Sequence, residues 1–189
     1  MAGMKLLTDA IAFAAKAHEG QMRKGSDTPY IVHPMEAMAI AATLTDDIEV
    51  LAAAALHDVA EDCGVTEAEL RRLFGERVAR MVMFETERKE PDAAASWQKR
   101  KLRTVNRLRA ADRDGLILTL ADKLSNLRSM ERDLKTVGPA LWQRFNQTNP
   151  SMQRWYYASV CESLRALSDT AAWQEYSALI DRVFGGEVR

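Results

Sequence analysis

The sequence predicts an all-α protein, with roughly eight to ten helices that form one domain over residues 1–189. Apolar residues recur at helical spacing in most segments, and helix start and stop signals separate these segments. No segment shows the strict alternation of apolar and polar residues that is typical of a half-buried strand. Hydrophobic residues make up 47% of the chain and charged residues 28%, so the chain can bury a substantial core.

Two helices and a loop are predicted before residue 45. The first helix covers residues 6–18, and Gly20 follows it as a stop signal. Residues 21–34 are rich in glycine, proline and short polar residues and are predicted to form a loop, where functional residues are often found. Pro34 suits the first turn of a helix that runs to about Leu44, so we expect His33 at the N-terminus of that helix.

The central helix is the most apolar segment of the chain. Asp46 or Asp47 is expected to cap its start, and Gly64 is expected to end it. Two further helices follow, one that runs from a capping box at residues 66–69 to Gly75 and one over residues 76–86.

Helices are predicted through the rest of the chain. Pro91 and Asp92 are expected to start a long basic helix, most of whose charge forms a solvated face, with Lys101 placed to reach an anionic ligand. Residues 112–115 break the pattern before a second strongly apolar helix. The remaining predicted elements are a turn at Gly138 and Pro139, a short helix over residues 141–145, a helix that begins at Asn149 and Pro150, and a last helix over residues 171–184.

Charge, cysteine content and hydropathy limit the possible functions. The chain has 26 Lys and Arg residues against 27 Asp and Glu residues, a balance that does not favour a nucleic acid as the partner. Cys63 and Cys161 are the two cysteines, too few for a disulfide framework, so we expect a cytoplasmic protein. No run of 18 apolar residues occurs, and we therefore expect no membrane span.

Both strongly apolar helices end in polar side chains that can bind metal ions. Residues 51–56 lead into four such groups, and residues 116–121 lead into Asp122 and Asn126, one helical turn apart. Charge at the end of a buried element is costly unless something compensates it, and a bound cation is the simplest compensation. The four groups of the first helix are His57, Asp58, Glu61 and Asp62.

Three helix ends together supply two imidazoles and two carboxylates as candidate ligands: His33, His57, Asp58 and Asp122. This mixed set of nitrogen and oxygen donors suits manganese, iron or zinc with coordination positions left for water, and therefore a catalytic site. A metal with open positions activates water, and Glu61 and Asp62 lie one turn away, where they can orient that water or move its proton. The alternatives are a helix-terminal histidine beside a surface acid at residues 57–58, and a capping or hydrogen-bonded core role for His33.

Four motifs occur in order along the chain, at residues 17–24, 29–34, 56–62 and 120–126. Together they resemble the HD phosphohydrolase superfamily, an all-helical group of metal-dependent enzymes with an H…HD…D signature. They are similar, more narrowly, to the hydrolase domain of the bifunctional alarmone enzymes. The tryptophan- and tyrosine-containing residues 142–146 and 155–157 also resemble the stand-alone small alarmone hydrolases, so that the resemblance extends over most of the chain.

The resemblance implies manganese-dependent removal of pyrophosphate from the 3′ position of ppGpp and pppGpp, which leaves GDP or GTP and lowers alarmone levels. It implies that His33, His57, Asp58 and Asp122 hold one metal ion and that Glu61 and Asp62 are the catalytic acids. The implied substrate-binding residues are Arg23, Lys24, Lys123 and Asn126, to which the basic helix adds Lys101 as a candidate for an anionic group.

Two departures and two rival functions accompany this resemblance. Cys63 stands where the family commonly has threonine, and a synthetase domain is not expected within this length. The sequence leaves open a related phosphohydrolase activity on ppApp or on the 2′-phosphate of NADPH, because it does not settle which base fits. A nucleotide sensor without catalysis would keep the pocket, but the presence of Glu61 and Asp62 beside all four ligands argues against it. The oligomeric state stays open.

Overall fold

A computed structural model describes residues 2–87 and 90–185. Its α-helices are α1 (Ala2–Ala17), α2 (Val32–Ala41), α3 (Ile48–Leu56), α4 (Val59–Cys63), α5 (Glu67–Phe74), α6 (Glu76–Glu85), α7 (Trp97–Leu108), α8 (Arg113–Val137), α9 (Pro150–Ser163) and α10 (Ala171–Phe184). Two 3₁₀ helices cover Gly138–Arg144 and Arg165–Leu167. The all-α prediction is confirmed, since the β-structure of these residues is one isolated antiparallel bridge between Met22 and Pro29.

Helix α3 lies at the centre of the fold and packs against α1, α2, α6 and α8. Every residue from Val50 to Leu56 is buried, and four of these seven are alanines. Small side chains let neighbouring helices approach α3 on all sides, which explains why its sequence shows little amphipathic pattern. The C-terminal end of α3 therefore lies inside the protein.

Helix α8 is the second buried support of the fold. It packs against α2, α3, α6 and α10, and its residues from Gly115 to Asp122 are all buried. Because α8 and α3 are both in contact with α2, the polar side chains that follow their apolar runs are brought next to the start of α2. This packing positions the candidate site.

The predicted continuous central helix is wrong, because the structure divides it into α3 and α4 at His57 and Asp58. The ring nitrogen Nδ1 of His57 lies 2.8 Å from the carbonyl oxygen of Ala54. In a regular helix that carbonyl accepts from the backbone N–H of Asp58, so the imidazole replaces a main-chain donor. The predicted stop is confirmed, since Gly64 ends α4 in the left-handed conformation with φ of 72°.

Several other boundaries differ from the predicted ones. Helix α1 begins at Ala2 rather than at residue 6. Helix α2 begins at Val32, so that His33 and Pro34 lie in its first turn as expected, but it ends at Ala41 rather than near Leu44. The basic helix α7 begins at Trp97 and not at Pro91, because the side chain of Asp92 accepts from the amides of residues 94 and 95 and holds a turn there.

The predicted helix caps are mostly present. Asp47, rather than Asp46, caps α3 by accepting from the amide of Glu49 at 3.0 Å, and Thr66 caps α5 through the amide of Glu69 at 3.2 Å. Asn149 caps α9 and precedes Pro150 in its first turn. No helix of the described part of the chain is both long enough and apolar enough to cross a membrane.

Candidate metal centre and cavity

The four predicted metal ligands converge in the structure. His33 comes from the first turn of α2, His57 and Asp58 from the break between α3 and α4, and Asp122 from the buried part of α8. The Nε2 atoms of the two histidines lie 3.2 Å apart. One ligand atom each from His33, His57 and Asp58 lies within 4.8 Å of the others.

Both carboxylates face the two imidazoles. Oδ2 of Asp58 lies 3.1 Å from Nε2 of His57 and 3.5 Å from Nε2 of His33. Oδ1 of Asp122 lies 3.1 Å from Nε2 of His33 and 3.7 Å from Nε2 of His57. Donor atoms that bind one cation at about 2.1 Å and at right angles are about 3 Å apart, so this spacing fits a single divalent ion.

The protonation of the site also indicates a place for positive charge. Burial opposes a charge on His57, but Asp58 and Asp122 outweigh it and raise its pKa. Burial lowers the pKa of His33, which stays neutral. The imidazolium of His57 in turn holds the pKa of Asp58 well below its usual range, against the effect of burial. A divalent cation supplies the same charge and leaves both histidines free to act as nitrogen ligands.

Further hydrogen bonds fix the orientation of the carboxylate ligands. The hydroxyl of Tyr30 donates to Oδ2 of Asp58 at 2.7 Å. The side-chain amide of Asn126 donates to Oδ1 of Asp122 at 2.6 Å, and Nζ of Lys123 contacts the other oxygen of the same carboxylate. Such outer contacts are typical of metal centres, where they hold ligands in position.

The four candidate metal ligands lie beside a cavity of about 310 Å³, within the size range of small-molecule sites. All eleven predicted site residues line this cavity: Arg23, Lys24, His33, His57, Asp58, Glu61, Asp62, Lys101, Asp122, Lys123 and Asn126. The structure thus brings together residues from the N-terminal loop, four helices and the break before α4.

Glu61 and Asp62 lie on α4, next to the ligands in sequence and in space. Burial, together with the charges of Asp58 and Asp62, raises the pKa of Glu61 to about 7. The backbone amide of Glu87 donates to Oε2 of Glu61 at 2.9 Å. A carboxyl group with a pKa near neutrality can both accept and release a proton at physiological pH, as acid–base catalysis requires.

Cationic side chains lie around the same cavity. The guanidinium of Arg23 donates to Oδ1 of Asn126 at 3.0 Å and stands over the ring of Tyr30. Nζ of Lys101 donates to Glu87 at 3.0 Å and lies 5.0 Å from the ring centre of Tyr156. The basic helix is therefore only partly a solvated face, because Lys101 is directed into the cavity.

The end of the cavity away from the metal ligands combines apolar and polar side chains. Met130, Leu141 and Phe145 contribute apolar surface there, and Arg144 donates to Asp133 at 3.1 Å. Asp133 is eleven residues beyond Asp122 on α8, a rise of about 16 Å along the helix axis. The lining of the cavity thus extends along α8 from Asp122 to Asp133.

Half of the residues that line the cavity had no role assigned from the sequence, among them Tyr30, Glu85 and Glu87. Tyr30 lies in the same motif as His33, so its position three residues earlier was a usable signal. Glu85 is the last residue of α6 and Glu87 lies two residues beyond it, where the sequence shows no distinguishing pattern. His18 lies beside Tyr30, with its ring stacked on that of Tyr30 and its Nδ1 2.9 Å from Gln21 Oε1.

A scan against protein families matches residues 10–148 to the HD domain. This match covers well over half of the chain and includes every predicted site residue. The chain belongs to the HD domain family. The HD family implies a divalent metal ion, and the four ligand side chains that meet at one end of the cavity fit that requirement.

The relatives of this HD domain carry names from alarmone metabolism. A guanosine-3′,5′-bis(diphosphate) 3′-pyrophosphohydrolase of Danio rerio is 36% identical over 130 residues, which covers 67% of this chain and 70% of the relative. A GTP pyrophosphokinase of Myxococcus xanthus is 33% identical over 133 residues, which covers 68% of this chain. This second match spans only 17% of the relative's own length.

A solved structure resembles this HD domain over most of its length. It is described as a metazoan ortholog of SpoT that hydrolyses ppGpp and plays a role in starvation responses. The match has a TM-score of 0.75 and 26% sequence identity, and it covers 94% of each chain.

Proposed function

We propose that this HD domain hydrolyses the 3′-pyrophosphate of ppGpp and pppGpp to give GDP or GTP and pyrophosphate. The observation that carries the proposal is the convergence of His33, His57, Asp58 and Asp122 at one end of a nucleotide-sized cavity whose walls hold Glu61 and several cations. The printed activities of the Danio rerio relative and of the metazoan structure support the same substrate.

We assign His33, His57, Asp58 and Asp122 as the ligands of one Mn²⁺ ion. Two imidazole nitrogens and two carboxylate oxygens form a donor set of intermediate hardness, which suits manganese. Structural zinc sites, in contrast, are usually rich in cysteine ligands. When bound there, a divalent ion lowers the pKa of a water molecule and polarises an oxygen of the phosphate.

Glu61 and Asp62 supply the proton transfers of the reaction. A bond forms between the water oxygen and the phosphorus next to the ribose, and the bond from that phosphorus to the 3′ oxygen breaks. Glu61 is suited to accept the proton of the water, because its pKa of about 7 lets it ionise at neutral pH. Asp62 follows it on α4 and lines the same cavity, so we assign it to orient the water or to return a proton to the leaving 3′ oxygen.

The cations of the cavity bind the phosphates and orient the nucleotide. Arg23 and Lys24 approach from the N-terminal loop, Lys101 from α7 and Lys123 from α8, so that the substrate is contacted from three sides. Asn126 lies between Arg23 and Asp122 and can present its amide to a ribose hydroxyl. Lys101 must exchange its contact with Glu87 for a phosphate oxygen when substrate binds.

We further propose that the whole chain acts as one HD-type domain on a small nucleotide in the cytoplasm. Helix α10 packs along α8, which carries Asp122, and this packing joins the C-terminal segment to the site. A nucleic-acid partner is not part of the proposal, since the net charge of the chain is −1.

A substrate panel tests the proposed function. Purified, manganese-loaded protein is incubated with ppGpp, with ppApp and with NADPH, and the products are separated by anion-exchange chromatography. We expect GDP and pyrophosphate from ppGpp at a higher kcat/KM than is found for the other two compounds. Turnover of ppApp or NADPH without turnover of ppGpp would transfer the activity to a related phosphohydrolase. The variant Asp122→Asn removes one ligand and serves as the inactive control.

A further inference from the structure

We propose that Ser125 and Glu36 form a hydrogen-bond relay that fixes the tautomer of His33 and thereby sets the affinity of the metal centre. The inference rests on the metal centre of the proposed function and adds two positioning residues to it. Ser125 lies on α8, three residues after Asp122, and Glu36 lies on α2, three residues after His33.

The relay is continuous and buried at its start. Nδ1 of His33 lies 2.8 Å from Oγ of Ser125, and that hydroxyl donates to Oε2 of Glu36, also at 2.8 Å. His33 is 4% exposed and Ser125 is 1% exposed. Because water does not reach these groups, the loss of either hydrogen bond would leave a buried polar atom without a partner, which costs free energy. A buried serine with its hydroxyl between an imidazole and a carboxylate has both of its hydrogen-bonding functions occupied.

The direction of the relay determines where the proton of His33 lies. An ionised carboxylate only accepts, so Glu36 must receive the single hydroxyl hydrogen of Ser125. The same hydroxyl oxygen can then only accept from His33, which places the imidazole proton on Nδ1. The lone pair of Nε2 is left free, and Nε2 is the atom directed at the other metal ligands.

The two histidine ligands are held in different ways. Nδ1 of His57 donates to the backbone carbonyl of Ala54, a partner that no substitution removes. Nδ1 of His33 depends on side chains that come from two different helices. The orientation of His33 is therefore the part of the metal centre that a change outside the ligand set can alter.

Glu36 is itself held in place by an ion-pair network. The guanidinium of Arg128 donates to Oε1 of Glu36 at 3.3 Å, which leaves Oε2 for Ser125. The same guanidinium forms a two-point contact with Glu175 of α10, at 2.7 and 2.6 Å. The relay thus connects the metal centre to the C-terminal helix through Arg128.

Metal retention measures the effect of the relay directly. Manganese-loaded wild type, Ser125→Ala and Glu36→Gln are dialysed against graded concentrations of a chelator, and the remaining manganese is counted by atomic absorption. We expect the affinity of Ser125→Ala to fall about 10- to 100-fold. Glu36→Gln should lose less, because a glutamine can still accept from Ser125 but no longer imposes the direction of the hydrogen bond.

A turnover measurement distinguishes a positioning role from a loss of structure. At saturating manganese we expect Ser125→Ala to recover most of the wild-type kcat, since the ligands themselves are unchanged. Ser163→Ala is the matched control, because its hydroxyl donates to a backbone carbonyl within α9, away from the site. That variant should retain metal as the wild type does.

Each outcome has one meaning. If the wild type retains manganese and Ser125→Ala retains it equally well, the relay is overturned while the metal centre stands. If Ser125→Ala loses turnover that excess manganese does not restore, Ser125 is structural and the relay is again overturned. If the wild type itself holds no metal, the proposed function fails together with the relay.

Discussion

Replacing Glu61 by glutamine removes a titratable group from the cavity without changing its size. The variant keeps an oxygen that can accept from the backbone amide of Glu87, a contact of 2.9 Å in the wild type. Glu61 is not one of the four assigned metal ligands, so manganese should stay bound. General base catalysis contributes roughly 100- to 10,000-fold, and we expect kcat to fall by at least about 100-fold in Glu61→Gln.

The pKa of Glu61 gives this prediction a second, pH-dependent part. With a pKa of about 7, the side chain is about half ionised at pH 7 and about one-tenth ionised at pH 6. A bound cation favours the ionised form and moves this pKa downward. The wild-type kcat/KM should therefore decrease as the pH is lowered. We expect the midpoint of this decrease at or below pH 7 and above the ordinary glutamate pKa of 4.5.

The assay is pyrophosphate release from ppGpp between pH 5 and pH 9, with the manganese content measured on the same samples. Glu162→Gln, a change of an exposed glutamate on α9, is the control and should behave as the wild type. Turnover of Glu61→Gln within tenfold of the wild type, or an unchanged acid limb in that variant, would refute the assignment of Glu61 as the base.

Three further changes test other parts of the site. His57→Ala should abolish manganese binding together with activity, and a stoichiometric manganese content in that variant would contradict the ligand set. Arg23→Ala should raise KM for ppGpp about tenfold or more with a smaller effect on kcat, since a charged hydrogen bond contributes about 1.5–3 kcal/mol; an unchanged KM would exclude Arg23 from substrate binding. Burial raises the pKa of Glu85, so the folded state holds the proton of this carboxyl group more tightly than the unfolded state does. The wild type should therefore lose stability as the pH rises above the unfolded pKa of 4.5 and through the higher folded value. Between pH 5 and pH 8, denaturant titration of Glu85→Gln should show a smaller decrease in the free energy of unfolding than the wild type, and equal decreases would contradict this.

The candidate site was largely predictable because of how its helices are built. An apolar run such as residues 50–56 must be buried, and a polar group directly after it must then be compensated. The same argument applies to Asp122 on α8. The sequence motifs added the order of the ligands, and the structure then placed all eleven predicted residues around one cavity.

Helix boundaries were less predictable, for reasons that can be named. Periodicity does not show that the imidazole of His57 takes the carbonyl of Ala54 and divides the central helix. It also does not show that Asp92 holds a turn and delays the start of α7 to Trp97. In both cases a side-chain hydrogen bond competes with the backbone pattern on which the prediction depends.

Contacts between distant parts of the chain were beyond sequence reasoning. Ser125 and His33 are 92 residues apart, and Tyr30 and Asp58 are 28 residues apart. Each pair depends on how α2 packs against α3 and α8, which no local pattern specifies. A single sequence therefore indicated candidate metal ligands but not the side chains that contact those candidates and hold them in place.

The central claim is that one manganese ion at the four ligands makes this HD domain a ppGpp hydrolase. Its most direct test is a titration of metal-stripped protein with manganese, in which bound metal per chain and pyrophosphate release from ppGpp are measured together. We predict that activity rises in proportion to bound manganese and reaches its maximum at one ion per chain. Equal turnover by the stripped protein, or no release from a fully loaded one, would contradict the account.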